Sequence, residues 1–180
     1  MTGQYTLDET ERAVQERVAG LPVDHDAMAA IANLYRAAGA VRNHFERTVL
    51  TEHDLTWTGW VVLWVVWVWR DIETRHAASE AGISKSTLTG VASTLEARGL
   101  LERRPYPDDG RRVLLSLTPA AESLMAELFP RLNAQEQYVV QSLSPTEVVE
   151  LAGGLRRIVR HLEGGSVTER PSAPARRSRS

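Results

Sequence analysis

The chain has 180 residues, 43% of them apolar and 24% charged, and its formal net charge at pH 7 is −2. This size and apolar content allow a buried core and favour one domain. The absence of cysteine excludes disulfides, thiolate zinc sites and thiol-based sensing. The polar N-terminus lacks the pattern of a signal peptide, and the longest apolar run, Leu55 to Trp69, is shorter than the roughly 20 residues of a membrane span. We therefore predict a cytoplasmic protein that does not enter a membrane.

Two helices are predicted for the first 55 residues. Thr6 and Glu9 have the spacing of a capping box, and the helix that they open ends at Gly20. A longer helix begins at Asp24 or Asp26. Its apolar residues keep steps of three and four, which gives one stripe: Met28, Ile31, Leu34, Ala38, Val41, Phe45 and Val49. A long helix with one apolar stripe needs a partner surface.

The next helix, capped by Thr56, is apolar around most of its circumference. Its tryptophans at positions 57, 60, 64 and 67 share one face. A helix that is apolar all round is normally buried, so we expect it at the centre of the fold. The tryptophans have two interpretations: core packing, or a cavity in which Trp60 or Trp64 contacts an aromatic or lipophilic effector.

Residues 73–99 have the pattern of a helix-turn-helix. A short helix over 73–81 ends at Gly82, which suits a tight turn. Ser84 can cap a second helix that ends at Gly99. The second helix has one apolar stripe, made of Leu88, Val91 with Ala92, and Leu95. Two helices joined by a turn of about three or four residues form this motif.

A basic hairpin follows. Two strand-like runs, 100–104 and 112–117, flank a turn from Pro105 to Gly110. Four arginines lie on or beside it: Arg103, Arg104, Arg111 and Arg112. A helix-turn-helix with such a hairpin is a winged helix, whose second helix fits the major groove and whose wing cation suits the minor groove. The alternative is a solvated hairpin whose arginines pair with neighbouring acids.

The C-terminal part predicts two more helices. The first starts at Thr118-Pro119, with a kink expected at Pro130. Ser144 and Glu147 form a second capping box before the last helix. That helix has an apolar stripe made of Val148, Leu151, Leu155, Ile158 and Leu162. The polar, basic remainder is predicted to be disordered.

Several motifs in this order resemble the MarR family of bacterial transcription regulators. They are L-T-W-T-G-W-V-V-L at 55–63, A-G-I-S-K-S-T-L-T-G-V at 81–91, L-E-A-R-G-L-L-E-R-R at 95–104, P-D-D-G-R-R at 107–112 and L-S-L-T at 115–118. The resemblance implies a wing motif at Asp109-Gly110-Arg111 and terminal helices that interleave with those of a second subunit. The chain departs from the family pattern where Gly90 and Ser93 replace charged residues of the recognition helix, and where Gly110 replaces an arginine.

The predicted fold is mainly α with a small β-hairpin wing: a winged helix-turn-helix plus long terminal dimerisation helices. Residues 1–55 and 119–163 are the predicted dimerisation helices, 56–118 the DNA-binding lobe and 164–180 a basic tail. The expected function is a sequence-specific DNA-binding transcriptional regulator, a dimeric repressor relieved by a small aromatic or lipophilic effector. Its predicted partners are a pseudo-palindromic DNA operator and a second copy of the chain.

Two sets of site residues are predicted. Those expected to bind DNA are Ser84, Lys85, Ser86, Thr87, Thr89, Gly90, Arg103, Arg104, Asp109, Arg111 and Arg112. By analogy with the family, those expected to bind an effector are His44, Trp60, Trp64 and Arg75. Two other functions remain possible: an architectural DNA-binding protein of low specificity, or a ligand- or partner-binding helical protein without DNA function.

Catalytic and metal-binding motifs are lacking. The five histidines show no metal-ligand spacing, and neither a glycine-rich phosphate loop nor a nucleophile elbow is present. We therefore expect no enzymatic activity, no metal and no cofactor.

Overall fold

The computed structural model describes residues 5–106 and 109–164. Its helices are α1 Leu7–Val18, α2 His25–Phe45, α3 Trp57–Trp69, α4 Thr74–Glu80, α5 Lys85–Ala97, α6 Pro119–Val139 and α7 Pro145–Gly164. Its strands are β1 Ile72–Glu73, β2 Leu101–Tyr106 and β3 Asp109–Leu117. The predicted fold class, mainly α with a hairpin wing, is confirmed.

Most of the helices begin where the sequence places side-chain caps; α4, which follows Glu73, has none. At α1 the Thr6 hydroxyl accepts from the Glu9 backbone N–H at 3.2 Å, and the Glu9 carboxylate accepts from the Thr6 backbone N–H at 2.7 Å. Ser144 and Glu147 repeat this box at α7. The hydrogen bonds from Thr6 lower the pKa of Glu9, and those from Ser144 lower the pKa of Glu147. At α5, Ser84 Oγ accepts from the backbone N–H of Thr87 at 3.0 Å. Local capping thus sets the helix starts.

Helix α3 lies at the centre of the predicted DNA-binding lobe, residues 56–118, and packs against α4, α5 and β3. Its buried residues are Gly59, Trp60, Val62, Leu63, Val65 and Val66. The prediction that α3 is buried all round is wrong, because Trp64 is 41% exposed and Trp69 is 59% exposed. The neighbouring elements cover one side of α3, and that side is filled mostly by valine and leucine. The ring of Trp67 packs against that of Phe129, with centroids 5.4 Å apart.

The sheet has the order β1-β3-β2 and is antiparallel. Strand β1 pairs with β3 through Ile72–Leu115 and Glu73–Leu114. The hairpin strands are longer than predicted, since the ladder continues to Pro105–Val113 and then shifts register at Tyr106. The predicted turn, 105–110, therefore includes residues that belong to the strands in the structure. Proline is tolerated here because β2 is an edge strand.

The corner between α2 and α3 differs from the long α-helix that the apolar stripe predicts. A π-helical turn, Glu46–Leu50, and a 3-10 turn, Thr51–His53, follow α2. The Glu46 carboxylate accepts from the backbone N–H of Trp57 at 2.8 Å. Arg98, directly after α5, donates to the carbonyls of His53 and Asp54 at 2.7 and 2.6 Å. The end of α5 is thereby fastened to the corner from which α3 begins.

Arg70, at the end of α3, has a strained backbone, with φ +54° and ψ −146°. This region suits glycine, and another residue there costs about 1–3 kcal/mol. Glycine adds flexibility to the unfolded chain, a cost of roughly 0.5–1 kcal/mol. We therefore expect Arg70→Gly to raise the free energy of unfolding by about 1 kcal/mol in urea titrations. Arg70→Ala is the control, because it keeps Cβ and should give no gain. Equal unfolding free energies for the two variants would contradict the strain.

The chain divides into two compact units, Met1–Phe129 and Pro130–Ser180. In the second unit, α7 has no buried residue. Its exposed apolar side chains include Leu151, Leu155, Ile158 and Leu162. Pro130 lies within α6, and the kink there stays a prediction, as does the division into four segments. The tail is predicted over 164–180, but Gly164 is the last residue of α7, and residues 165–180 lie outside the described residues. No helix in the described part is long and apolar enough to cross a membrane.

Candidate nucleic-acid interface

Helix α5 has a polar, exposed side opposite its buried stripe of Leu88, Ala92 and Leu95. Ser84 Oγ lies 2.8 Å from Ser86 Oγ and 2.7 Å from Thr87 Oγ1. The exposed residues of its first turns are Lys85, Ser86, Thr87, Thr89 and Gly90. This side offers hydroxyl groups and one ammonium, groups that can hydrogen-bond to phosphates and base edges.

Gly90 leaves open space on the exposed side of α5. A Cβ atom added there would meet no atom within 4 Å, apart from the helix's own backbone and chain neighbours. The backbone of α5 is thus accessible at Gly90, which allows a close approach to another molecule.

Arg103 extends from β2 across α5. Its Nη2 donates to Ser93 Oγ at 2.9 Å and to the Thr89 carbonyl at 3.4 Å, and its Nε lies 3.5 Å from the Glu96 carboxylate. The sequence indicated a hairpin cation but gave no sign of these partners, which lie 7 to 14 residues away in the chain. The arginine therefore places a positive charge beside the polar side of α5 and fastens the hairpin to it.

Arg104 pairs within its own strand. Its Nε and Nη2 donate to one carboxylate oxygen of Glu102 at 3.2 and 2.8 Å. The hydrogen bond with Glu102 also raises the pKa of Arg104. This is the solvated pairing that the sequence left open as an alternative, and exposed pairs of this kind add little stability.

Arg112 pairs with Glu73, whose side chain is 9% exposed. Its Nε and Nη2 donate to the two Glu73 oxygens at 3.0 and 2.6 Å. The guanidinium carbon lies 3.8 Å from the centroid of the Tyr106 ring. Arg75 Nε also lies 3.1 Å from Glu73 Oε1. Arg112 is thus engaged by Glu73 and Tyr106 while its side chain stays partly exposed, and its predicted contact with DNA stays a prediction.

The hydrogen bond from Arg112 is the main reason that the pKa of Glu73 lies below its ordinary value of 4.5. Because the folded state favours the ionised carboxylate, this pairing stabilises the fold above the ordinary pKa. The contribution is lost as the pH falls through the lowered pKa.

A cleft of about 330 Å³ lies between α4, α5 and the hairpin. It is lined by three cationic side chains, Arg75, Lys85 and Arg103, together with Thr74, Leu88, Thr89, Ala92 and Val113. Cations collected in one concave place attract a polyanion. The family analogy predicts that Arg75 lines an effector pocket. In the structure, Arg75 and Lys85 line the same cleft, which the sequence did not indicate.

The predicted wing tip is described in part. The backbone of Asp109, Gly110 and Arg111 belongs to β3, with Asp109 opposite Tyr106. Their side chains lie outside the described atoms, so their predicted roles in DNA binding stay predictions.

The four predicted effector residues lie on three helices. His44 is half-buried near the end of α2, Trp60 is buried in α3, and Trp64 is exposed on α3. Arg75 lies on α4, beside Glu73. Their convergence around one effector stays a prediction. Among the described residues, no group of three metal-ligating side chains is placed to hold a metal ion.

Comparison with known proteins assigns the fold to a family. Residues 55–113 match the model described as the MarR family. The chain is 30% identical over 159 residues to YwaE of Bacillus subtilis (strain 168), an uncharacterized HTH-type transcriptional regulator. That alignment covers 87% of this chain and 93% of YwaE.

Two solved structures show the same fold. BpsR of Bordetella bronchiseptica, whose DNA binding is regulated by 6-hydroxynicotinic acid, has a TM-score of 0.67 and 28% identity, covering 73% of this chain and 98% of BpsR. PcaV of Streptomyces coelicolor, in complex with its natural ligand, has a TM-score of 0.58 and 25% identity, covering 79% of this chain and 94% of PcaV. Since the identity to YwaE extends over most of both chains, and the winged helix-turn-helix carries the family match, the chain belongs to the MarR family of DNA-binding transcriptional regulators.

Proposed function

We propose that the protein is a dimeric repressor that binds a pseudo-palindromic operator and is released by a small aromatic effector. The observation that supports it best is the cationic cleft beside the polar side of α5. A cleft at the junction of both helices of the motif and the hairpin suits the phosphate backbone next to a major groove. The protein would act in the cytoplasm, as predicted.

On the DNA side, the first turns of α5 would enter the major groove. The hydroxyls of Ser86, Thr87 and Thr89 and the Lys85 ammonium would meet phosphates or base edges. Arg111 would reach the minor groove, where a narrow groove concentrates negative potential. Asp109 would orient Arg111 or brace the wing.

The dimer is supported by apolar side chains left exposed on the terminal helices. Leu151 and Leu162 of α7 are 48% and 71% exposed, and Ile31 of α2 is 46% exposed. Exposed apolar rows of this kind mark interaction surfaces. Two copies would present two recognition helices to half-sites about one DNA turn apart.

The effector is supported by the relatives BpsR and PcaV, whose structures concern small ligands. An effector would act through a higher affinity for the released state than for the DNA-bound state. We expect tryptophan fluorescence and operator affinity to respond to at least one compound in a panel of aromatic acids. If both are indifferent to the whole panel, this part of the proposal is wrong.

A second candidate function is architectural DNA binding with little sequence preference. The hydroxyl-rich surface of α5 favours this function, because a hydroxyl group can form hydrogen bonds with the edges of several different bases. Affinities for a duplex selected by the protein from a random pool and for its scrambled counterpart separate the two. A repressor prefers the selected duplex strongly, whereas an architectural protein binds both alike.

Arg111→Ala tests the wing. We expect weaker binding to the selected duplex and a salt dependence, log K against log salt, that is shallower by about one unit, because one cationic contact is lost. Fluorescence anisotropy at several salt concentrations measures both. Arg17→Ala is the matched control, since it removes the same charge from the exposed surface of α1. Binding by Arg111→Ala that equals the wild type would show that the wing does not engage DNA.

A further inference from the structure

We propose that Glu73 is a positioning residue for DNA binding. Its carboxylate holds Arg75 at the cationic cleft and Arg112 at the base of the wing. It thereby fixes the position of the wing relative to α5, the proposed recognition helix. The inference rests on the proposed function, because DNA is the partner against which the two arginines are positioned.

The burial of Glu73 is the first observation. A carboxylate with a side chain only 9% exposed loses most of its hydration and has to be compensated by donors. Arg112 donates two hydrogen bonds to it, at 3.0 and 2.6 Å, and Arg75 Nε forms an ion pair with it at 3.1 Å. Among the described residues, no buried side-chain polar atom is left without a hydrogen bond. An apolar cluster would stabilise a fold as well as a buried ion pair does, so the pairing points to a need for defined geometry.

The second observation is where Glu73 stands in the chain. Glu73 is the residue directly before α4, so its position is tied to that of α4, the first helix of the motif. Strand β1 has only two residues, and its ladder to β3 is correspondingly short. The two-pronged contact with Arg112 adds a directional link between α4 and β3. Arg112 is adjacent in sequence to Arg111 at the wing tip.

The link also reaches β2. Tyr106 lies under the Arg112 guanidinium, and the β2–β3 register shifts at this residue. Cation–π stacking holds the guanidinium plane against the ring. The Glu73 carboxylate therefore connects α4 with all three strands, at the level where the regular hairpin ladder ends.

The third observation concerns Arg75. Its Nε forms an ion pair with Glu73 at 3.1 Å while its side chain stays 57% exposed, and it lines the cleft with Lys85 and Arg103. A guanidinium confined by an ion pair loses less rotational freedom when it binds a phosphate. Glu73 thus prepares Arg75 for a phosphate contact.

The direction in which DNA affinity changes when the Glu73 charge is removed distinguishes a positioning role from a purely electrostatic one. A carboxylate near DNA repels phosphates, so its removal should tighten binding if charge were its whole contribution. If Glu73 positions the two arginines, its removal weakens binding instead.

The experiment compares Glu73→Gln with Glu80→Gln, which removes the same charge from the exposed surface of α4. The probes are the duplex that wild-type protein selects from a random pool and its scrambled counterpart. We expect Glu73→Gln to bind the selected duplex about tenfold more weakly, and Glu80→Gln to bind as the wild type or slightly tighter. Hydroxyl-radical footprints of Glu73→Gln should lose protection at the flanks, where the wing lies, and keep it at the centre of each half-site.

Glu73→Gln removes the carboxylate charge that faces Arg112, whose side chain is 35% exposed, so folding is checked by circular dichroism and affinities are measured well below the unfolding temperature. The double variant Glu73→Gln/Arg112→Gln removes both charges of the pair and should show the same loss of affinity and of flank protection. Wild-type protein that binds both duplexes equally would refute the proposed function. Wild-type preference that both Glu73 variants retain, with unchanged footprints, would overturn this inference alone.

Discussion

Replacing Leu151 and Leu155 together by glutamate is expected to make the protein monomeric and to abolish tight operator binding. The two side chains are 48% and 37% exposed on one face of α7. In a two-fold dimer each substitution acts twice, so four leucines would leave the contact. Burying one leucine contributes roughly 1.5–3 kcal/mol, so the double variant would weaken the dimer by several kcal/mol. Its dissociation constant would rise about a thousandfold or more.

Sedimentation and anisotropy on the selected duplex measure the two effects. Arg160→Glu is the matched control, because it changes the net charge by the same amount and Arg160 lies on the opposite face of α7 from the two leucines. It should leave both the dimer and its DNA affinity intact. A wild-type chain that sediments as a monomer at micromolar concentration, or a double variant that remains a dimer, would contradict the role of α7.

Leu63→Ala is expected to destabilise the DNA-binding lobe by about 2–5 kcal/mol, the range for a leucine removed from a close-packed core. Leu63 is 0% exposed, whereas the adjacent Trp64 is 41% exposed. Trp64→Ala should therefore cost less, although it removes the larger side chain. This order is the reverse of what a buried tryptophan face predicts.

Urea titrations followed by circular dichroism give both unfolding free energies. They are best measured in the background of the Leu151→Glu/Leu155→Glu variant, so that subunit dissociation does not contribute. A greater loss for Trp64→Ala than for Leu63→Ala would mean that Trp64 is covered in the folded protomer.

The sequence predicted those features that depend on neighbouring residues. The capping box at Thr6, the cap at Ser84 and the turn at Gly82 involve positions within four residues of each other, so their signals are local. The buried stripe of α5 follows from the helical period. Together these signals were enough for the winged helix-turn-helix and for the choice of the exposed side of α5.

Features that depend on distant partners could not be predicted in the same way. Glu73 and Arg112 are 39 residues apart, and β1 has only two residues, too short for a periodic pattern. Hydropathy alone placed Trp64 inside, but the covered side of α3 depends on where α4, α5 and β3 pack. The π-helical turn after α2 keeps the apolar stripe of an ordinary helix, so the stripe could not reveal it.

The open surface at Gly90 has a consequence for how such a regulator changes its target. Gly90 stands four residues after Ser86, on the side of α5 proposed to enter the major groove, and an added side chain would displace nothing around it. Glycine inside a helix also costs roughly 0.5–1 kcal/mol relative to alanine, so most replacements would strengthen the helix. One codon could therefore install an arginine or asparagine able to read a base edge, without repacking the core. The repertoire of operators open to this protein, by drift or by design, is wider than its present recognition residues suggest.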